Sequence, residues 1–267
     1  MEMKKVNVAV VSHGHFDELS SNCKWKEFSR LDTIRVCILD NVGEPGLDKW
    51  AKSNGMHYIK NSAPRGFGEN NNTIFRFFAE NKMCAEYFLV LNPDVAICPT
   101  DIESLICEVE AIDCDIATIN LFKDSSYTTF DESVRSFPTF LDFFSSFFLG
   151  VNDTIIDKEG IKGPISVDWA AGSFLLFKDS LYKKLAGFDE KFYMYCEDID
   201  ICARAKYHYN KSVCFFPEIK ACHRAGLRSR RLFSKHFYWH IRSALRFLTK
   251  KQFYKKHRSV SSGGGRD

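Results

Sequence analysis

Along the first half of the chain, runs of β-branched and aliphatic residues alternate with polar breaks. Residues 6–12, 35–41, 57–60, 87–92 and 115–121 read as five short strands. Between them, residues 72–81 and 101–112 carry apolar positions at helical spacing, the second with Thr100 or Asp101 as N-cap. Strand alternating with helix predicts an α/β fold around a mostly parallel sheet. Ligands of such sheets bind beyond the carboxyl ends of the strands. Polar residues stand there: Ser12 and His13, Asp40 and Asn41, Asn92 and Asp94. Any strand running into a loop also ends this way.

The second half is more aromatic. Residues 133–150 are rich in Phe, and the run 139–149 after Pro138 reads as a short, mostly apolar helix. It is either buried or a wall for lipid or an acceptor. Val167-Asp-Trp-Ala-Ala-Gly-Ser173 is a small-residue turn opening into a strand, and residues 212–216 form another strand before Pro217 and His223. From about Leu232, aromatic and aliphatic residues interleave with Lys and Arg, the pattern of a basic amphipathic helix. Such a helix lies on a membrane surface or packs on the body as an ordinary solvated helix. Residues 259–267 are Ser/Gly-rich and read as disordered.

Charge divides the chain in the same place. Residues 224–258 hold 12 Lys/Arg and no Asp or Glu, so a net charge of +3 leaves −9 on the remainder. An acidic body and a basic aromatic tail suggest different partners. A nucleic-acid-binding reading explains the tail alone, and the acidic body argues against it, so no nucleic acid is expected. No secretory signal is read at the start, and no run of about 18 apolar residues occurs. The ten scattered Cys, among them Cys37, Cys107, Cys202 and Cys214, read as buried, reduced thiols of a cytoplasmic protein.

The densest chemistry lies in residues 187–204, GFDEKFYMYCEDIDICAR. Glu197 and Asp198 point about 100° apart on a helix, so they need not share a task. A packed carboxylate pair is costly unless a proton, a metal or a cation accompanies it. The pair is a candidate acid/base or ligand site; otherwise it is an acidic first turn that complements the helix dipole. Asp94, at a strand end, can hold Mg²⁺ or Mn²⁺ when phosphates and water fill the other positions, though Asn-Pro-Asp is also a common turn. Arg65-Gly-Phe-Gly-Glu-Asn-Asn-Asn72 leads into a helix, and its glycines permit close backbone approach. A neutral His223 could complete a metal site, or be a surface loop residue.

These pieces occur in one order, and with VSHGH, GFGENNN, LNPD, VDWAAGSF and FYMYCEDIDIC they resemble family-2 inverting glycosyltransferases of the GT-A fold. The resemblance covers residues 6–224 and is closest to rhamnosyltransferases of bacterial O-antigen and cell-wall synthesis that act on diphospho-undecaprenyl-linked GlcNAc. It implies a catalytic domain over 1–223, split at about 121 into a nucleotide-sugar half and an acceptor half, followed by the helical tail 224–258. It implies that Asp40 contacts the base or ribose, with Ser12, Asn41 and Asn92 on the donor side. Gly66, Asn71 and Asn72 would line the nucleotide pocket. Apart from the resemblance, Arg230 and Arg231 suit phosphate geometry, so the tail either meets anionic lipid or grips the acceptor or donor diphosphate through them. Asp94 would bind the cation with help from His223, Asn92 standing where the family has the first Asp of its D-x-D. Trp169, Gly172, Ser173 and Tyr195 would form the acceptor side, Asp198 would be the general base, and Glu197 would position it. The implied partners are dTDP-rhamnose, a polyprenyl-diphosphate-linked sugar and an anionic membrane surface, with the enzyme peripheral on the inner face. A UDP-hexose donor, or an inactive nucleotide-sugar-binding partner of another transferase, are the alternatives.

Overall fold

The aliphatic runs become the centre of one sheet. β1 (Val6–Ser12), β2 (Ile34–Asp40), β3 (His57–Lys60) and β4 (Tyr87–Leu91) pair in parallel in the order β3-β2-β1-β4. The structure is a computed structural model that describes residues 3–224 and 235–261. β5 (Val95–Ala96), β6 (Ile116–Phe122), β7 (Val134–Arg135), β8 (Ile165–Val167), β9 (Trp169–Ala170), β10 (Phe174–Lys178) and β11 (Val213–His223) follow. β10 runs antiparallel between β4 and β6, β11 lies parallel to β6, and β5 closes the edge against the end of β11. β7 and β9 form a small separate sheet.

Side chains alternate across this sheet into two cores, because successive strand residues face opposite sides. Val8, Val10, Val36 and Ile38 pack on the side covered by α1 (Phe16–Ser21), α2 (Trp25–Phe28), α3 (Leu47–Ser53) and α5 (Pro99–Ala111). Ala9, Cys37 and Leu39 face the side of α4 (Phe67–Glu80). The helix over 72–81 thus begins five residues early. The Asn run looks like turn chemistry, but Asn70 and Asn72 turn their side chains to Asn61, Phe188 and Glu190 and leave the backbone free to coil.

On that second side, α6 (Phe140–Phe144), α7 (Asp179–Lys184), α8 (Glu197–Tyr209) and α9 (Lys235–Ser261) complete the layer. A capping box between Thr139 and Asp142 starts α6, which passes into a π-helical turn, Ser145–Leu149. Phe143 is buried, whereas Phe140 and Leu141 are 62% and 71% exposed, so this short helix is not a buried one. Residues 259–261, read as disordered from sequence, belong to α9. All ten cysteines are free thiols, but Cys23, Cys84 and Cys107 are exposed, which corrects the reading of Cys107 as buried.

α9 docks through charge as well as apolar contact. Lys250 bridges Asp189 (2.7 Å) and Asp200 (2.6 Å), Arg246 reaches Asp189 (3.1 Å), and the Tyr254 hydroxyl donates to Asp200 (2.9 Å). Lys251 donates to the carbonyls of Phe137 and Pro138. Part of the basic stripe therefore neutralises acids of the body. Asp200 is fully buried and also paired with Arg204, so it anchors α8 and α9 and stands apart from the chemistry of its neighbours.

Candidate active site

Asp94 follows β4, and Val95 pairs with His223, so the edge strand brings the two residues together. His223 Nε2 lies 3.4 Å from Asp94 Oδ1. On the other side of the ring, Nδ1 lies 3.1 Å from Asp131 Oδ2. The loop after β6 folds back to place Asp131 there, its amide donating to the Leu121 carbonyl. Burial pulls the imidazole pKa down, but the two carboxylates outweigh it and raise it to about 9. Burial pushes Asp94 up, yet His223 more than offsets this and leaves its pKa below the ordinary value. Asp94 Oδ1 is buried without a hydrogen-bond partner. A carboxylate oxygen held only at 3.4 Å from an imidazole nitrogen fits a divalent cation completed by phosphate and water, which would displace the imidazole proton on binding. Among the described residues no group of three or more His, Cys, Asp or Glu is arranged as a metal cage, so the protein would supply only these two ligands. Nothing in the sequence singled out Asp131, which lies in a polar loop.

The acid pair lies at the start of α8. Tyr195 and Cys196 both have left-handed backbones (φ 70° and 64°), an uncommon conformation for such residues. This sharp entry turns Asp198 toward the segment after β9, where the Gly172 amide donates to its Oδ2 at 3.1 Å and the Ile199 amide to its Oδ1 at 2.8 Å. A Cβ on Gly172 would stand 2.8 Å from the Phe67 ring. Burial raises the Asp198 pKa, partly offset by those two amides. Glu197 is buried, its Oε2 is unpartnered, and burial followed by repulsion from Asp198 holds its pKa well above the usual range. Burial therefore pushes Glu197 further towards the protonated form than Asp198, whose charge the two amides favour.

The remaining residues divide into scaffold and surface. Asp40 is 0% exposed, and its two oxygens accept from the amides of Val42, Gly43 and Glu44 and from the Tyr58 hydroxyl. These four donors tie Asp40 to the loop after β2. Asn72 is likewise committed, holding Phe188, Tyr182 and Glu190. Asn41 ties Arg65 and Asn61 to the end of β2. Asn71 donates to the Phe67 carbonyl, and its Oδ1 is buried without a partner. Gly66 is required by the chain itself, since a Cβ there would meet the Tyr193 carbonyl at 2.5 Å. The Ser12 hydroxyl is engaged by Glu44. The Asn92 amide donates to the Ser173 carbonyl, while the Ser173 hydroxyl is buried and unpartnered. Trp169 is buried, its indole N–H donating to Ser136 and its ring covered by Arg135 at 5.6 Å, so it walls the site rather than offering an open face. The Tyr195 ring stacks on His240 at 4.6 Å. Arg230 and Arg231 lie outside the described residues.

A mixed, mostly parallel sheet with a carboxylate–imidazole pair at the end of its edge strand, and an acid pair at the start of α8, is the arrangement set beside known proteins here. The chain is 37% identical over 257 residues to Rhamnosyltransferase WbbL of Escherichia coli strain K12, covering 92% of this chain and 94% of that protein. It belongs to the family-2, GT-A-fold glycosyltransferases that include this rhamnosyltransferase, and is a glycosyltransferase. GalNAc-T7, solved with UDP, GalNAc and Mn²⁺, superposes with a TM-score of 0.61 at 11% identity, over 93% of this chain but only 48% of its own. The mannosyltransferase PcManGT of Pyrobaculum calidifontis, solved with GDP-Man and Mn²⁺, gives a TM-score of 0.56 at 13% identity, over all of this chain and 77% of its own. These two share the fold. No family model matches the sequence.

Proposed function

We propose that the protein transfers L-rhamnose from dTDP-β-L-rhamnose, with inversion, to a hydroxyl of a diphospholipid-linked GlcNAc in O-antigen synthesis. The relative's name supports the sugar, and the Asp198–Gly172 geometry carries the mechanism. A sugar hydroxyl is a poor nucleophile until a base takes its proton. Asp198 is held by two backbone amides in a fixed orientation, and as the charged member of the pair it removes that proton during attack at the anomeric carbon. Glu197, protonated, keeps the second charge out of the site. A divalent cation between Asp94 and His223 would neutralise the departing diphosphate. Thermal melts with dTDP, UDP and GDP, with Mn²⁺ or with EDTA, test the donor. A ligand at about 100 times its dissociation constant stabilises by about 2.7 kcal/mol. A metal-dependent shift larger with dTDP supports rhamnose; a UDP preference leaves a UDP-hexose transferase.

Asp131 orients His223 in this scheme, as a carboxylate behind a metal-bound imidazole does. Asp131→Asn is expected to weaken Mn²⁺ binding by roughly 10–100-fold with the fold intact. Unchanged Mn²⁺ titration by electron paramagnetic resonance contradicts the role.

Peripheral membrane association is part of the same reading. Among the described residues no helix is long and apolar enough to cross a membrane. Phe140 and Leu141 on the short, capped α6, and Leu149 and Val151 just after it, are exposed beside the Lys- and Arg-bearing α9. Each Lys or Arg near an anionic surface contributes about 1 kcal/mol. Binding to anionic vesicles is expected to weaken with salt and to fall further in Phe140→Ser/Leu141→Ser. Equal binding to neutral vesicles in high salt excludes the electrostatic part.

A further inference from the structure

Between residues 190–193 and one face of α9 lies a cavity of about 280 Å³, lined by Glu190, Lys191, Tyr193, Trp239, Arg242, Ser243 and Arg246. It shares no residue with the Asp94–His223 edge. Three cations line it against one acid, Glu190, whose Oε1 accepts from Asn72 and Arg76, both at 3.0 Å. Arg246 is fixed over the Phe192 ring (5.3 Å) and by Asp189, yet its Nε–H is buried without an acceptor. An unpartnered donor of this kind favours an acceptor, and an anion among the three lining cations would offer one. The Tyr193 and Trp239 rings, 4.8 Å apart, give the cavity an aromatic wall.

The cavity is coupled to the base through the backbone. The Ser243 hydroxyl donates to the Met194 carbonyl, and the Tyr193 carbonyl accepts from Phe67, whose ring abuts Gly172. Residues 193–196 then lead directly into Glu197 and Asp198. A ligand held here lies against the segment that carries the base, not the edge that carries the metal pair.

We propose that this cavity is a second phosphate site, which takes the phosphate ester of the acceptor. This rests on the reading of a phosphorylated lipid acceptor. The same chemistry could come from a bilayer headgroup, and the experiment separates the two. In the full-length enzyme, Lys191→Ala/Arg242→Ala is expected to weaken inorganic pyrophosphate binding at least tenfold in calorimetry with EDTA, where no cation can hold the anion at Asp94. The acceptor KM is expected to rise at least tenfold with the donor KM unchanged. An acceptor sugar on an uncharged aglycone should show no such rise. If the variant instead keeps its acceptor KM but loses binding to anionic vesicles, the site stands and its phosphate is a headgroup. If wild type transfers no sugar but binds pyrophosphate through these residues, the site stands and the transferase reading fails. Pyrophosphate binding equal in wild type and variant overturns the proposal, and normal melting curves show that the variant is folded.

Discussion

The Asp198→Asn variant is expected to lose sugar transfer by about 10²–10⁴-fold, the usual worth of a positioned general base. The substitution preserves shape, and Asn can still accept from one of the two amides that hold the carboxylate, those of Gly172 and Ile199. Donor binding, measured by the dTDP-dependent melting shift, should therefore survive. The pH profile gives an independent signature. Burial raises the Asp198 pKa above the ordinary carboxylate value, so the active, charged form is lost as pH falls through that raised value. Wild-type kcat/KM should fall on the acid side at a higher pH than an exposed carboxylate would give, and the residual rate of the variant should lack this limb. Loss of donor binding together with transfer would mark Asp198 as structural.

Asp94→Ala carries the second large effect. The buried Oδ1 has no hydrogen-bond partner, and His223 Nε2 is 3.4 Å away. Removing that oxygen leaves the imidazole as the remaining side-chain ligand of a site that already relies on phosphate and water. Mn²⁺ affinity should fall by about 100-fold or more, beyond what loss of an outer-shell partner costs. Donor binding in the variant should become the same with Mn²⁺ and with EDTA. A wild-type metal dependence that persists in the variant excludes Asp94 as a ligand.

The parallel half of the fold was legible because β1, β2 and β4 are buried on both faces and therefore read as continuous aliphatic runs. The acid pair was legible too, since neighbouring carboxylates in an aromatic segment have few inexpensive explanations. The sequence could not show which polar residues were already satisfied. Asp40 and Asn72 look like ligand residues in one dimension, and only the structure shows their partners within the chain, Tyr58 and the 42–44 amides, or Tyr182 and Phe188. Asp131 was missed for the opposite reason, because it meets His223 from 92 residues away. The docking of α9 had a readable trace. A +12 tail beside a −9 body is a complementary pair, and Asp189 and Asp200 sit in the segment already singled out.

The most direct test of the account is the anomeric configuration of the product, read by nuclear magnetic resonance after wild-type enzyme, Mn²⁺, dTDP-β-L-rhamnose and a diphospholipid-linked GlcNAc are incubated together. A single displacement driven by Asp198 predicts an α-L-rhamnoside. A β-L-rhamnoside would contradict that mechanism.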